Sequence, residues 1–255
     1  MPLDVLFPFI AVIVAAVIVL SLHGARLERQ RQDAFGVAAR ALGWTYDPEG
    51  DPLWARTFAS APFGLGQRWR VGPTVTGVQQ GRAVCAFDYT YFTRDAVSST
   101  DAQGRLSTTY REQAHHYRVA VVRTGLLGPT LELGNENWLI RALDAVTGGD
   151  IDFESESFNR RFRVQCSSRK FAYDVLTPAT MEAIEILGPD RLVWENGWLV
   201  WAQQGSWLPS LVEPMLTRLQ RIVDCLPAYL LAPSPAPDVD SDPETPRGGA
   251  ENAGA

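Results

Sequence analysis

Residues 191–201 read RLVWENGWLVW, two apolar runs meeting at Asn196-Gly197. Asn-Gly supplies the two positive-φ positions of a type I′ turn, whose twist matches that of paired antiparallel strands. Counting outward pairs Glu195 with Trp198, Trp194 with Leu199, Val193 with Val200 and Leu192 with Trp201. One face of the hairpin then carries Leu192, Trp194, Leu199 and Trp201, and the other Val193 and Val200. Both faces are apolar, so a hairpin covered on both sides is expected.

Further strands are legible toward the N-terminus. Residues 68–78 and 82–93 are joined by a Gln-Gln-Gly turn; residues 115–123 and 130–133 follow, divided by Gly125 and Gly128-Pro129. Residues 95–112, rich in Ser, Thr and Asp, read as a long loop, a length at which mobility or function is usual. Residues 136–146 read as a short helix closed by Gly148-Gly149, and residues 158–166 as another strand. Thr177 is a natural N-cap with Pro178 as the first helical residue, and Gly188-Pro189 ends that helix. Leu211, Val212, Met215, Leu219, Ile222, Val223 and Leu226 recur at helical spacing up to Pro227. Ser210 with Glu213 would cap this last helix as a box, or Pro214 would open it. The expected class is α+β, a mostly antiparallel sheet packed by helices that include an amphipathic C-terminal one.

Residues 5–22, VLFPFIAVIVAAVIVLSL, contain no charge and are followed by Arg26, Arg29 and Arg31. About 18 residues at a 1.5 Å rise reach roughly 27 Å, close to the ~30 Å hydrocarbon core, which predicts a transmembrane helix. The flank before it, MPLD, has no basic residue, and His23 spoils a small-residue cleavage site, so a retained anchor is expected rather than a signal peptide. The arginines after the run predict an N-terminus outside and a cytoplasmic domain. The chain then divides into an anchor over 1–25, an amphipathic helix over 26–43, a globular domain over 44–231 and a tail over 232–255. In the amphipathic part Leu27, Ala34, Phe35, Ala38 and Leu42 share a face, with Gly43 as the stop. The tail is poor in large apolar residues and is expected to be disordered.

A net charge of −6 over 255 residues argues against nucleic acid as a partner. Cys85, Cys166 and Cys225 are far apart and set among apolar neighbours, which suits buried thiols of a reducing compartment. The nucleophile-elbow, P-loop, H-E-x-x-H and C-x-x-C signatures are absent, and Gly64 and Gly66 begin a dinucleotide fingerprint without its third glycine. No catalytic residue and no cofactor is expected. Asp150, Asp152, Glu154 and Glu156 alternate, and would share one face of an extended segment as a weak candidate site for a hard cation. Nearby Arg160, Arg161 and Arg163 suggest ion pairs instead. His115 and His116 would point to opposite faces of a strand and cannot share a metal.

The stretches DIDFESESFNRRFRV, RKFAYDVLTPATMEAI and LVWENGWLVW, with the earlier GWTY, APFG and FDY pieces, resemble an uncharacterised, mainly actinobacterial protein family. That resemblance, over roughly residues 34–227, implies a single-pass anchored protein with one α+β domain and no assigned activity or site. Asn159, Tyr173 and Asp174 fall in the shared pattern and read as turn and cap chemistry. The functional expectation is a membrane-tethered cytoplasmic interaction or scaffold domain, with the bilayer and membrane-associated proteins as partners. Two alternatives are a lipid- or small-ligand-binding sensory module at the membrane surface and a metal-dependent hydrolase built on the acidic row.

Overall fold

The computed structural model describes the backbone of residues 3–100, 106–135 and 151–231, and their side chains except at 3–18, 25, 97–100, 106 and 107. The expected helix over 136–146, Asp150 and the tail from 232 lie outside the described residues. Eight strands form one antiparallel sheet: β1 (Thr45–Asp47), β2 (Arg68–Gln79), β3 (Arg82–Thr100), β4 (Leu106–Arg123), β5 (Leu131–Gly134), β6 (Arg163–Cys166), β7 (Arg191–Glu195) and β8 (Trp198–Gln204). Their order is β1-β2-β3-β4-β8-β7-β5-β6. The helices are α1 (Leu3–Ala41), α2 (Leu53–Thr57), α3 (Glu156–Arg161), α4 (Arg169–Val175), α5 (Pro178–Leu187) and α6 (Pro209–Asp224).

The β7–β8 hairpin has the expected register, Glu195 opposite Trp198 through Leu192 opposite Trp201. Asn196 and Gly197 take φ values of 52° and 77°, which the type I′ turn requires. Its two faces enter two separate cores. Leu192, Trp194, Leu199 and Trp201 pack with Phe35 and Ala39 of α1, Ile184 of α5, and Leu216, Leu219 and Val223 of α6. Val193 and Val200 lie on the opposite face with Val71, Cys85, Phe87, Tyr89 and Val119, under a strap of residues 52–66 that contributes Ala55, Phe58 and Phe63. Each fully buried Phe, Leu or Val side chain there stabilises the fold by about 2 kcal/mol.

The transmembrane expectation is corrected. Among the described residues no helix is long and apolar enough to cross a membrane. α1 is one 39-residue helix. Its described part carries Arg26, Glu28, Arg29, Arg31, Asp33 and Arg40, and it packs on the domain through buried Phe35 and Ala39. Leu27 and Leu42, expected on that packed face, are exposed. α1 ends at Gly43 in the left-handed region, φ 70°, and the Trp44 N–H reaches back to the Ala39 carbonyl at 2.8 Å.

Three further corrections have local causes. The expected loop over 95–112 is largely ladder, with Asp95 opposite Arg111 and Thr100 opposite Leu106. Its Val, Thr and Tyr residues favour extended backbone more than its Ser and Asp oppose it. The expected strand over 158–166 splits into α3 and β6. The Ser155 side chain accepts from the Phe158 N–H as an N-cap, and the i, i+4 pair Phe158 and Phe162 is buried with ring centroids 5.1 Å apart. α6 opens at Pro209 rather than at Ser210 or Pro214, and Pro214 sits inside it.

α1 is tied to the sheet by polar contacts as well. Arg31 donates to the Asp88 carboxylate and, at 3.2 Å, to the Trp207 carbonyl, while the Trp207 N–H donates to Asp88 Oδ1 at 2.9 Å. Burial pushes the Asp88 carboxyl above its ordinary value, against the Trp207 amide and Arg31, which pull it down. A carboxyl raised in the fold contributes stability that is full below its unfolded value, about 4, and is lost as pH rises through the raised value. Arg31→Met removes one of the groups holding it down. The variant is therefore expected to lose about 1–3 kcal/mol at pH 7 and less at pH 4. Thermal melts at both pH values check this; equal losses would show that Arg31 does not stabilise the Asp88 charge.

Candidate functional site

The register of β3, β4 and β8 collects one group of side chains at the end of the strap-covered face. Gln113, His115 and Tyr117 alternate along β4 and so share a face. Tyr91 is directly opposite His115, and Gln204 is opposite Tyr117. The Tyr91 and His115 rings stack with centroids 4.6 Å apart at an interplanar angle of 14°, and Tyr117 stacks on Tyr91 at 5.8 Å. Ala61, Pro62 and Leu65 of the strap close the other wall of a groove of about 310 Å³. That volume is at the small end for ligand pockets, enough for a head group.

The strap is held where it forms this wall. Phe63 is buried against Phe58 and Tyr89, with centroids 5.3 and 5.0 Å away. Glu195 of β7, itself buried, accepts from the Ala59 N–H at 2.9 Å, the Ser60 N–H at 3.2 Å and the Ser60 hydroxyl at 2.7 Å. The Asn196 side-chain amide donates to the Thr57 carbonyl at 2.7 Å. Gly66, at φ 76°, passes so close to β3 that a Cβ would lie 2.5 Å from the Phe92 carbonyl oxygen. Gly64 and Gly66, which resembled the start of a dinucleotide fingerprint, both take positive φ in the strap, 75° and 76°, and Gly66 makes the close passage. The Glu-Asn of the ENG turn thus has a second role, clamping the strap, which the hairpin pattern alone did not reveal.

The groove's lining residues carry aromatic rings, two side-chain amides and apolar surface, with no Asp, Glu, Lys or Arg among them. His115 Nε2 is 2.9 Å from the Thr93 hydroxyl, and His116, on the opposite face as expected, has Nδ1 3.1 Å from the Thr90 hydroxyl. Amides offer paired donors and acceptors, and stacked rings offer flat apolar surface. Such a lining can hold an uncharged polar ring, a sugar above all.

Of the acidic row, Asp152, Glu154 and Glu156 do not share one extended face. Asp152 and Glu154 are exposed on either side of buried Phe153, whereas Glu156 is the first residue of α3. Among the described residues no group of three or more His, Cys, Asp or Glu is placed to hold a metal ion. Asn159, Tyr173 and Asp174 make local structural contacts. Asn159 brackets Phe153 by accepting from its N–H at 3.0 Å and donating to its carbonyl at 2.6 Å. Tyr173 donates to the Asp152 carbonyl at 2.9 Å, and Asp174 accepts from Lys170 at 2.7 Å. Cys85, Cys166 and Cys225 are free, and burial pushes the Cys85 thiol well above its ordinary value.

No family model matches the chain, and no curated protein matches it. Among solved structures it is similar to that of the mycobacterial trehalose monomycolate transport factor A, TtfA. The TM-score is 0.53 at 13% identity, covering 82% of this chain and 99% of that one. At that identity the likeness is one of fold.

Proposed function

We propose that this chain is a non-catalytic lipid-transport domain that works at a membrane surface and holds a lipid by an uncharged, sugar-like head. The groove of stacked Tyr91, His115 and Tyr117 with Gln113 and Gln204 carries this reading. The fold supports it, because the similar protein is named for transport of trehalose monomycolate, a lipid. Binding needs no nucleophile, and a groove lined without Asp, Glu, Lys or Arg has no carboxylate, ammonium or guanidinium to desolvate when a neutral head enters.

A second reading, an interaction domain at the membrane surface, is favoured by Val19, Leu20, Leu22 and Leu27, all exposed on α1. Sedimentation with vesicles separates the two. The chain is expected to sediment with phosphatidylcholine vesicles containing a trehalose glycolipid more strongly than with phosphatidylcholine alone. Gln204→Ala and His115→Ala, at less buried positions, are expected to weaken the glycolipid-dependent part about tenfold. Sedimentation indifferent to the glycolipid and to both variants would overturn the groove reading and favour the second.

A further inference from the structure

The other face of the sheet holds a second cavity, of about 260 Å³, between α5, β8 and α6. Leu211, Pro214, Met215 and Arg218, spaced as one stripe of α6, form one wall. Trp201 and Trp207 form its floor, their rings 5.7 Å apart. Arg118 of β4 lies over both indoles, with its guanidinium carbon 5.6 and 5.8 Å from the ring centres.

Arg118 is held, and it makes no ion pair among the described residues. Its Nη2 donates to Gln203 Oε1, and Gln203 Nε2 in turn donates to Asp190 Oδ2 at 3.4 Å. Arg118 Nε is buried and has no hydrogen-bond partner among the described residues. Asp88 is opposite Arg118 in the ladder, but its carboxylate oxygens accept from Arg31 and from the Trp207 N–H. The α5 C-terminus, which would repel an anion, is countered by Arg161, whose Nη1 donates to the Glu185 carbonyl at 2.9 Å. No carboxylate is among the cavity's described lining residues, and Arg218 is at its exposed wall.

We propose that this cavity binds a phosphate ester, with Arg118 and Arg218 contacting the phosphate and the indoles and Met215 contacting its apolar carrier. Two guanidinium groups at one cavity, with no Asp or Glu among its described lining residues, favour an anion, which accepts charge-assisted bonds from them. The site is separate from the neutral groove and stands or falls independently of it.

The test uses the 255-residue chain with three probes: inorganic phosphate, phosphatidylglycerol vesicles and phosphatidylcholine vesicles. Phosphorus NMR line broadening reads phosphate binding, and sedimentation reads vesicle binding. Saturable binding of phosphate or phosphatidylglycerol, weakened about tenfold by Arg218→Gln, is expected. Arg118→Gln should weaken it at least as much, while Arg218→Gln, at an exposed position, leaves the melting temperature unchanged. Binding to phosphatidylglycerol alone assigns the ester to a lipid head group, and binding to phosphate as well assigns it to the phosphate itself. Absence of binding to both, equal sedimentation with phosphatidylcholine, or binding indifferent to both substitutions overturns the proposal.

Discussion

Arg191→Met is expected to destabilise the protein by about 3–5 kcal/mol, enough to unfold much of the population of a marginally stable domain. Arg191 is 2% exposed and Glu132 6%, on adjacent strands β7 and β5. Arg191 Nε and Nη2 each lie 2.8 Å from the same carboxylate oxygen, Glu132 Oε1. Burial lowers the Arg191 pKa from its ordinary value, while Glu132 and, more weakly, Glu195 favour its charge. Removing the cation leaves a carboxylate buried without its partner, which is where most of the loss originates. The double variant Arg191→Met with Glu132→Leu removes both charges and is expected to recover most of that stability. Denaturant unfolding of the two single variants and the double variant measures this directly. A single variant within about 1 kcal/mol of the parent would mean that the pair is solvated.

Glu195→Ala is expected to cost about 2–4 kcal/mol, because one carboxylate accepts three hydrogen bonds from Ala59 and Ser60. Its effect should be local as well as global. The strap from 52 to 66 covers the second core, and its Ala61, Pro62 and Leu65 wall the groove. Without the clamp this segment should open more readily than the sheet beneath it. Hydrogen exchange at the Ala59 and Ser60 amides is expected to accelerate, while Val119 and Val200 keep their protection. Unchanged exchange at Ala59 and Ser60 would show that Phe58 and Phe63 alone hold the strap.

The hairpin was legible because each local signal agreed: Asn-Gly chose the turn, the turn set the register, and apolar residues on both faces implied cover on both sides. Thr177, Pro178 and Gly188 marked α5 in the same way. The regions around α1 and α3 were harder for a physical reason. Hydropathy marked the run over 5–22, whereas the packing of α1 on the sheet through Phe35 and Ala39 lies outside that run and depends on tertiary contacts. Residues 158–166 read as one strand although their faces were not cleanly separated, and the Ser155 cap and the buried Phe158–Phe162 pair produce a helical turn first. α4 passed unnoticed, although Ser168 accepts from the Phe171 N–H as its N-cap.

The groove was beyond reach of single-segment reading. Tyr91, His115 and Gln204 are brought together by the pairing of β3 with β4 and of β4 with β8. Nothing in the spacing of those three residues announces it. His115 and His116 were rightly separated by strand alternation, but the stacking of His115 on Tyr91 depends on the register of β3 with β4. Trp201 and Trp207 are buried and also floor the cavity beneath Arg118.

The most direct test of a sugar-holding groove is an NMR titration of the chain with a water-dispersed trehalose glycolipid, observing the His115 ring and the Gln113 and Gln204 side-chain amides. Saturable shifts at all three are the expected result, with the remaining signals unmoved in Gln204→Ala and in His115→Ala. Binding that leaves these signals unmoved, or no binding at all, would contradict the assignment of the groove.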